Sequence, residues 1–379
     1  MSSKKIVIIC APRMSEVVAQ EVRDLNLKVD KVDRLSVELQ GDFLTAMKLN
    51  LHLRCANRVL LEAVSFEAHT ANDLYKHVRK FEWEMHIPLN GYFTIDSFVH
   101  NDTIRDNRFA NQKMKDAIAD RFMREYQKRP DSGPNRDKTC LYMHWVENKC
   151  ALYFDTTGET IAKHGYRVNP WKAPMLESLA AAAIKNTGWN GESHFINPMC
   201  GSGTLAIEAA LMAANIIPGM FRENYAFMHL RAFRKEDFDQ LMQEAIAAEK
   251  DVPSHMRIIA TDHDARALRA AEQNAEEAGV DHMIEFVKCD YSETEVPFGP
   301  GIVILNPEYG ERLGEEEELL PVYQGIGDFF KQECDGKKGY VFTGNIPLGK
   351  RVGLKASRRI EMQNGRIDCR LFEYKIYQS

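Results

Sequence analysis

The sequence predicts an α/β protein: a doubly wound, mostly parallel sheet in the second half, preceded by smaller α+β architecture. Three observations predict it. Beyond Pro174, short apolar runs alternate with amphipathic stretches of helical length, the pattern of parallel strands joined by crossover helices. One run, Ile302 to Leu305, is apolar throughout, as a strand buried on both faces must be. Upstream, shorter strand-like and helix-like pieces end in two strands about a Glu147-Asn148 turn suited to a hairpin.

Taken in order, residues 1–60 alternate a strand at Ile6 to Ile9, an amphipathic helix from Ser15 to Leu25, a strand at Ser36 to Gln40 and a helix from Asp42 to Ala56. Residues 61–157 continue with a helix around Ala71 to Lys80, a strand at Tyr92 to Val99 and a helix near Arg108 to Gln127. The hairpin strands Cys140 to Val146 and Lys149 to Phe154 close that block. The segment HGYRVNPWKAPM, with two prolines and few periodic apolar positions, puts a linker at residues 158–173. From 174 to 379 the expected elements are a helix to Asn186, strand Phe195 to Asn197, helix Thr204 to Asn215, strand Arg257 to Thr261, helix Ala265 to Ala278 and strands at Ile284 to Val287 and Ile302 to Leu305. A helix near Leu319 to Cys334, a strand at Gly339 to Phe342 and a hairpin turning at Asn364-Gly365 follow. Residues 216 to 256 look like an insertion before the second of these strands.

A length of 379 residues favours two or three domains, and 44% apolar residues suffice for packed cores. No run approaches the roughly 18 apolar residues of a membrane span. Lys4, Lys5 and the run Ile6 to Cys10 mimic a signal peptide, but the run is shorter than the usual ~7–15 residues, so a first strand is expected. Eight cysteines without a CxxC pair indicate reduced thiols in a cytoplasmic protein, and no His/Cys spacing suggests a metal site. The net charge of −6 hides an asymmetry: residues 1–170 hold 26 Lys/Arg against 23 Asp/Glu, and residues 171–379 hold 23 against 32. Contact with a polyanion should lean on the first part.

The segment GIVILNPEYGERLG, residues 301–314, carries the most chemistry. A buried strand delivers Asn306, Pro307, Glu308 and Tyr309 to the carboxyl edge of the sheet, where open α/β folds keep their ligands. An exocyclic amine conjugated with its ring is a poor nucleophile. Acceptors aimed at its two N–H bonds, here the Asn306 amide oxygen and the Pro307 carbonyl, turn its lone pair toward an electrophile, while Tyr309 stacks on a base taken out of its helix. The plainer reading is an Asn-Pro turn after a buried strand.

After the strand at Phe195 comes Asn197-Pro198-Met199-Cys200-Gly201-Ser202-Gly203-Thr204, a glycine-rich strand-to-helix loop whose backbone can approach a ligand closely. Gly201 to Ala206 also fits the dinucleotide fingerprint G-x-G-x-x-A. That fingerprint expects a ribose-binding acid about 20 residues on, whereas Asp262 lies 262 − 203 = 59 positions after Gly203. Asp262, with His263 beside it, ends the second strand and can reach ribose hydroxyls. Asp290, followed by Tyr291, ends the third and can accept from an adenine amino group. Each acid alone reads equally as a helix cap or turn residue. Their order, glycine loop, acid, acid, NPEY, is that of S-adenosylmethionine chemistry.

On these motifs the chain resembles the class I RNA guanine-N2 methyltransferases that carry a THUMP domain. The resemblance covers nearly the whole chain: NDTIRDNRFANQKMKDAIADRF is similar to the family's THUMP segment, HGYRVNPWKAPMLESLAAAAI to its linker and first helix, and NPMCGSGTLAIEAALMA with NPEYGERLG to its cofactor and catalytic motifs. It implies a ferredoxin-like domain at 1–60, a THUMP RNA-binding domain at 61–157 and a Rossmann-like methyltransferase domain at 174–379. The implied activity is N2-methylation of a guanine in 23S rRNA or a ribosomal assembly intermediate. Asn306, Pro307, Glu308 and Tyr309 would be catalytic; Asn197, Pro198, Cys200, Gly201, Gly203, Thr204, Asp262, His263, Asp290, Tyr291 and Asn306 would hold S-adenosylmethionine. Metal and membrane have no part, and the sequence is compatible with a monomer or a homodimer. Two residues depart from the family's DPMCGSGT and NPPY: Asn197 replaces an acid and Glu308 a proline. The rivals are an N6-adenine methyltransferase, a label that sequences of this family have carried, and an inactive RNA-binding or assembly protein.

Three charged groups complete the reading. Arg129, Arg136 and Lys138 in QKRPDSGPNRDKT, with Arg121, Arg124 and Lys128 on the preceding helix, are candidates for phosphate contact or for a solvated face. Lys350, Arg351, Lys355, Arg358 and Arg359 read as an RNA rim or as charges blunting an edge strand. The acidic run Glu315 to Glu318 reads as a helix cap.

Overall fold

The computed structural model describes residues 3–172, 174–310 and 315–376. They form two compact units: one contains the chain up to Cys10, Val18–Ile161 and Arg222–Glu244, the other Ala11–Val17, Ala162–Phe221 and the chain from Ala245 onward.

The first unit is built on an eight-stranded sheet in the order β2-β3-β1-β4-β8-β7-β5-β6. Its strands are β1 Lys4–Cys10, β2 Lys31–Val32, β3 Ser36–Gly41, β4 Ala56–Glu67, β5 Tyr92–His100, β6 Asp131–Ser132, β7 Thr139–Val146 and β8 Lys149–Asp155. Helices α1 Ser15–Asp24, α2 Phe43–His52, α3 Ala71–Lys80 and α4 Asn107–Tyr126 accompany it. Local chemistry sets several boundaries. Asp42 and Thr70 form capping boxes at α2 and α3, each accepting from a backbone N–H three residues on. Helix α2 ends at His52, not Ala56: Leu53 to Cys55 lead into β4, which starts at Ala56 itself and which the sequence reading lacks. Residues 60 and 61 lie in mid-strand: Leu61 pairs with Ile6 of β1 on one side and Phe154 of β8 on the other.

Two of the expected phosphate contacts are instead committed internally. Arg121 is buried and pairs with Glu84, also donating to the Lys80 carbonyl at 3.0 Å. Arg136 pairs with Asp96 and with the fully buried Asp155, at 2.6 Å, so its loop is anchored there. The expected insertion also proves structured. Helix α7, Lys235–Ala247, lies in it, and its residues 222–244 pack in the first unit, where Phe227 meets Phe43 edge-on at 6.5 Å and lies 6.1 Å from Phe238.

The second unit holds a seven-stranded sheet in the order β11-β10-β9-β12-β13-β15-β14. These strands are β9 His194–Pro198, β10 Ile258–Asp262, β11 Ile284–Lys288, β12 Gly301–Leu305, β13 Lys338–Thr343, β14 Arg358–Asn364 and β15 Ile367–Lys375. The first five run parallel and the last two antiparallel, as the alternating pattern and the terminal hairpin predict. Helices α5 Glu177–Thr187, α6 Thr204–Ala213, α8 Ala265–Glu277, α9 Glu315–Glu333 and the short α10 Ile346–Gly349 complete it. The core joins Ile196, Ile259, Val303, Leu305 and Val341 from the sheet to Tyr323, Ile326 and Phe330 of α9. Helix α5 starts at Glu177, three residues after Pro174. Arg358 and Arg359 do lie on the edge strand β14. Residues 311–314 and the side chains of Glu315 and Glu316 lie outside the described residues.

Strand order reverses between β9 and β12. Chain leaving β9 turns one way along the sheet and chain leaving β12 the other, so a crevice opens at their carboxyl ends.

Candidate active site

Both motifs singled out from the sequence leave the sheet at that reversal. The loop after β9 is a backbone construction. Met199, Gly201 and Gly203 take left-handed φ values of 56°, 56° and 80°. At Gly203 a Cβ would lie 2.8 Å from the Cβ of Ala271, so the residue must be glycine both for its conformation and for the close approach of α8. A Cβ at Gly201 would meet nothing within 4 Å, leaving the backbone there open to a ligand. The Cys200 N–H donates to the Thr261 carbonyl at 2.9 Å and the Gly201 N–H to Asp262 Oδ2 at 3.0 Å. Asp262, the last residue of β10, accepts through Oδ1 from the Asp264 N–H at 2.9 Å, so its carboxylate is fixed between two loops. His263 beside it is exposed. Burial pushes the Cys200 thiol well up, making it a neutral wall of the loop.

Asn197 lies on β9 immediately before this loop and is wholly buried. Its Nδ2 donates to the Ile304 carbonyl of β12 at 2.9 Å, tying the two motif strands together. An aspartate there would set a carboxylate against that carbonyl, so the departure from the acidic pattern has a local reason. The amide's Oδ1 is buried with no partner among the described residues. Pro198 ends the strand, buried, and Thr204 opens α6.

The loop after β12 is held differently. Pro307 is buried and Glu308 exposed. Tyr323 Oη of α9 donates to the Glu308 carbonyl at 3.1 Å, and Asn345 Nδ2 to the Tyr309 carbonyl at 2.9 Å. Tyr309 Oη donates to Asn306 Oδ1 at 2.9 Å, while its ring lies 6.4 Å from that of Phe342 and covers Gly344, where a Cβ would come within 2.8 Å of it. Burial raises the Tyr309 hydroxyl above its ordinary range, so it stays a donor at any physiological pH. The oxygen that the sequence reading gives to an incoming amine thus accepts from Tyr309, with its second lone pair still to offer.

Asp290 stands exposed two residues after β11 and caps a short turn, its Oδ1 accepting from the Ser292 N–H at 3.0 Å and Oγ at 2.6 Å. Tyr291 turns onto α9, its Oη 3.4 Å from the Val322 carbonyl and its ring edge-on to Phe329. Glycine loop, Asp262, Asp290 and Asn306 therefore follow the carboxyl ends of four neighbouring parallel strands. Sequence reasoning passes over three residues that build the site. Asn274 of α8 donates to the Ser202 carbonyl at 3.1 Å, Asn345 holds the second loop, and Arg167 donates to Thr204 Oγ1 at 3.1 Å. Only Arg167 carries a sequence signal, as the single arginine of the proline-rich segment HGYRVNPWKAP.

Among the described residues, no group of three or more His, Cys, Asp or Glu is placed to hold a metal ion. Among the same residues no helix is long and apolar enough to cross a membrane.

Known proteins resemble this chain over nearly its whole length. A family model described as the RMKL-like methyltransferase domain matches residues 164–373, one described as the RlmL ferredoxin-like domain matches 5–60, and the THUMP domain model matches 68–155. A "Putative RNA methyltransferase" of Synechocystis sp. is 32% identical over 96% of this chain and 94% of its own length. The ribosomal RNA large subunit methyltransferase K/L of Syntrophotalea carbinolica is 34% identical over 97% of this chain but only 53% of its own length, so the chain spans about half of that protein. Among solved structures, SMU.472, described as a "putative methyltransferase" complexed with SAH, superposes with a TM-score of 0.87 at 27% identity, covering 100% of this chain and 99% of that one.

Proposed function

This chain belongs to the RMKL-like methyltransferase family, and from that premise we propose that it methylates the exocyclic N2 of a guanine in large-subunit (23S) ribosomal RNA, using S-adenosylmethionine. The observation that carries the proposal is the pairing of the two loops across the sheet reversal. Asn197 bonds the strand that ends in the glycine loop to the strand that ends in Asn306-Pro307, so the cofactor-type loop and the amine-orienting loop open side by side. Asn197 Oδ1, buried without a partner, and the open space over Gly201 fit a nucleoside bearing an amino acid.

Bound S-adenosylmethionine supplies an electrophilic methyl group on a sulfonium leaving group. The chain's own work is alignment. Gly201 would bring its backbone against the ligand, and Asp262, already braced by two N–H groups, would present its remaining lone pairs to ribose hydroxyls. Asp290, exposed just beyond β11, would accept from the adenine amino group. Asn306 and the Pro307 carbonyl accept from the target amine, and Tyr309 fixes the Asn306 carboxamide by its 2.9 Å bond. The Tyr309 ring would stack on the target base. No general base is needed, since the amine sheds its proton after attack.

The THUMP match and the net positive charge of the first 170 residues support an RNA substrate and, with it, a cytoplasmic reaction. Methyl-labelled S-adenosylmethionine, offered with unmodified 23S rRNA, a large-subunit assembly intermediate, 16S rRNA, tRNA or duplex DNA, tests the reading. N2-methylguanosine from 23S rRNA or a large-subunit assembly intermediate is expected. N6-methyladenine overturns it in favour of the rival amine, and transfer to none of these substrates overturns the enzyme reading in favour of an assembly protein.

A further inference from the structure

The glycine loop is bracketed by two buried polar atoms that the chain leaves without partners. Before it stands Asn197 Oδ1, an acceptor; after it, Arg167 Nη1, a donor held beside Thr204. Arg167 comes from the linker, where Asn274 fixes the backbone: its Oδ1 accepts from the N–H groups of Val168 at 3.0 Å and Asn169 at 2.8 Å, and its Nδ2 donates to the Asn169 carbonyl at 2.8 Å and to the Ser202 carbonyl of the glycine loop. One edge of the guanidinium is committed. Nε donates to Glu177 Oε1 at 3.1 Å, and Nη2 to the Met175 carbonyl at 2.7 Å and to Thr204 Oγ1 at 3.1 Å. The side chain is 12% exposed, so Nη1 is an unsatisfied donor on a desolvated cation, a costly state without a ligand.

An acceptor on one flank and a cationic donor on the other are complementary to an α-amino acid, whose ammonium donates and whose carboxylate accepts. We infer that Arg167 is a binding residue for the carboxylate of the cofactor's methionine moiety, through Nη1, with Asn197 Oδ1 receiving the ammonium. This rests on the S-adenosylmethionine reading above and extends it to a residue outside the glycine motif. The contact is charge-assisted, and it couples the linker to cofactor occupancy: the ligand supplies the partner that Arg167 lacks while Glu177 and Thr204 keep the guanidinium in register.

Isothermal titration of the full chain with S-adenosylmethionine and with its decarboxylated analogue, which keeps the sulfonium and ammonium, tests this without turnover. The wild-type chain should prefer the carboxylate-bearing ligand by about 10- to 100-fold. Arg167→Gln should erase that preference by weakening S-adenosylmethionine alone. Equal weakening of both ligands would make Arg167 a brace for the loop and overturn the inference, as would an unchanged preference. Binding of neither ligand by wild type fails the cofactor reading itself, and the inference with it. If Arg167→Gln does not fold, Arg167→Lys decides: it keeps the charge without the fork, and should lose part of the preference with the decarboxylated ligand unaffected.

Discussion

The two loops at the sheet reversal do adjacent jobs by different means. The loop after β9 is fixed by backbone: three left-handed residues, an N–H on Asp262 and another on the Thr261 carbonyl. The loop after β12 is fixed by side chains that arrive from α9 and from the segment after β13, namely Tyr323 and Asn345, and by its own Tyr309. A loop that holds a cofactor of constant shape gains from rigid backbone. One that must admit a flipped base gains from hydroxyl and amide contacts, each worth only about 1 kcal/mol, which can be exchanged for contacts with the incoming ring.

Substitutions in the two loops should therefore fail differently. Asn306→Ala removes the acceptor that the proposed reading aims at the amine and should lower kcat by about 10²- to 10³-fold, while S-adenosylhomocysteine binding by calorimetry stays near wild type. Loss of both together would mean that the two loops are one structural element. Gly203→Ala should do the opposite. With φ at +80° and Ala271 2.8 Å from the new Cβ, it should destabilise the chain by about 1–3 kcal/mol and weaken S-adenosylhomocysteine, which denaturant unfolding with and without ligand would show. Unchanged unfolding and binding would refute the backbone account of the first loop.

How much of this was legible in the sequence follows the same division. The glycine loop, the two acids and Asn306 were readable because backbone-determined sites leave local marks: glycines, a proline, and acids at the ends of apolar strands. Strand β4 was not. It follows α2 with only Leu53 to Cys55 between, has no Gly or Pro to mark a turn, and its run Val59-Leu60-Leu61 passes equally for the end of a helix. Arg136, read as a surface cation, is paired with Asp96 and Asp155, residues 40 and 19 positions away, which no local pattern announces. Asn345, Asn274 and Arg167 were missed for the same reason: a polar residue in an irregular segment acquires its role only from what tertiary structure sets against it. Asn197, by contrast, could be flagged as a departure from the acidic pattern, yet its cause, the Ile304 carbonyl 2.9 Å away on β12, lies 107 positions further on.

The side-chain account of the second loop sharpens with Asn345→Ala. That variant removes the donor to the Tyr309 carbonyl but touches neither cofactor nor substrate in the proposed reading. It should lower kcat by about tenfold, roughly 1.4 kcal/mol of barrier, with cofactor affinity unmoved. Asn345→Asp, which keeps the acceptor that caps α10 through the Leu348 N–H but loses the donor, should behave alike. If only the alanine variant is impaired, Asn345 serves α10 and not the loop.

The smallest effect is expected at Glu308, the one exposed member of the tetrapeptide. Its carbonyl is held by Tyr323 and its side chain is exposed, so Glu308→Pro keeps the anchored carbonyl while removing the carboxylate together with the backbone N–H. A carboxylate near the base can accept from guanine N1–H and N2–H, whereas adenine N1 is itself an acceptor and would be repelled. On that basis the proline variant should keep kcat on guanine within a few-fold and lower the guanine-over-adenine ratio by about five- to tenfold, the worth of one solvent-exposed charged hydrogen bond. Competition between guanine- and adenine-containing versions of one RNA target, read by nucleoside mass spectrometry, measures the ratio. An unchanged ratio would leave base choice to Asn306, Pro307 and the shape of the pocket, and would make the substituted second proline a surface variation without chemical consequence.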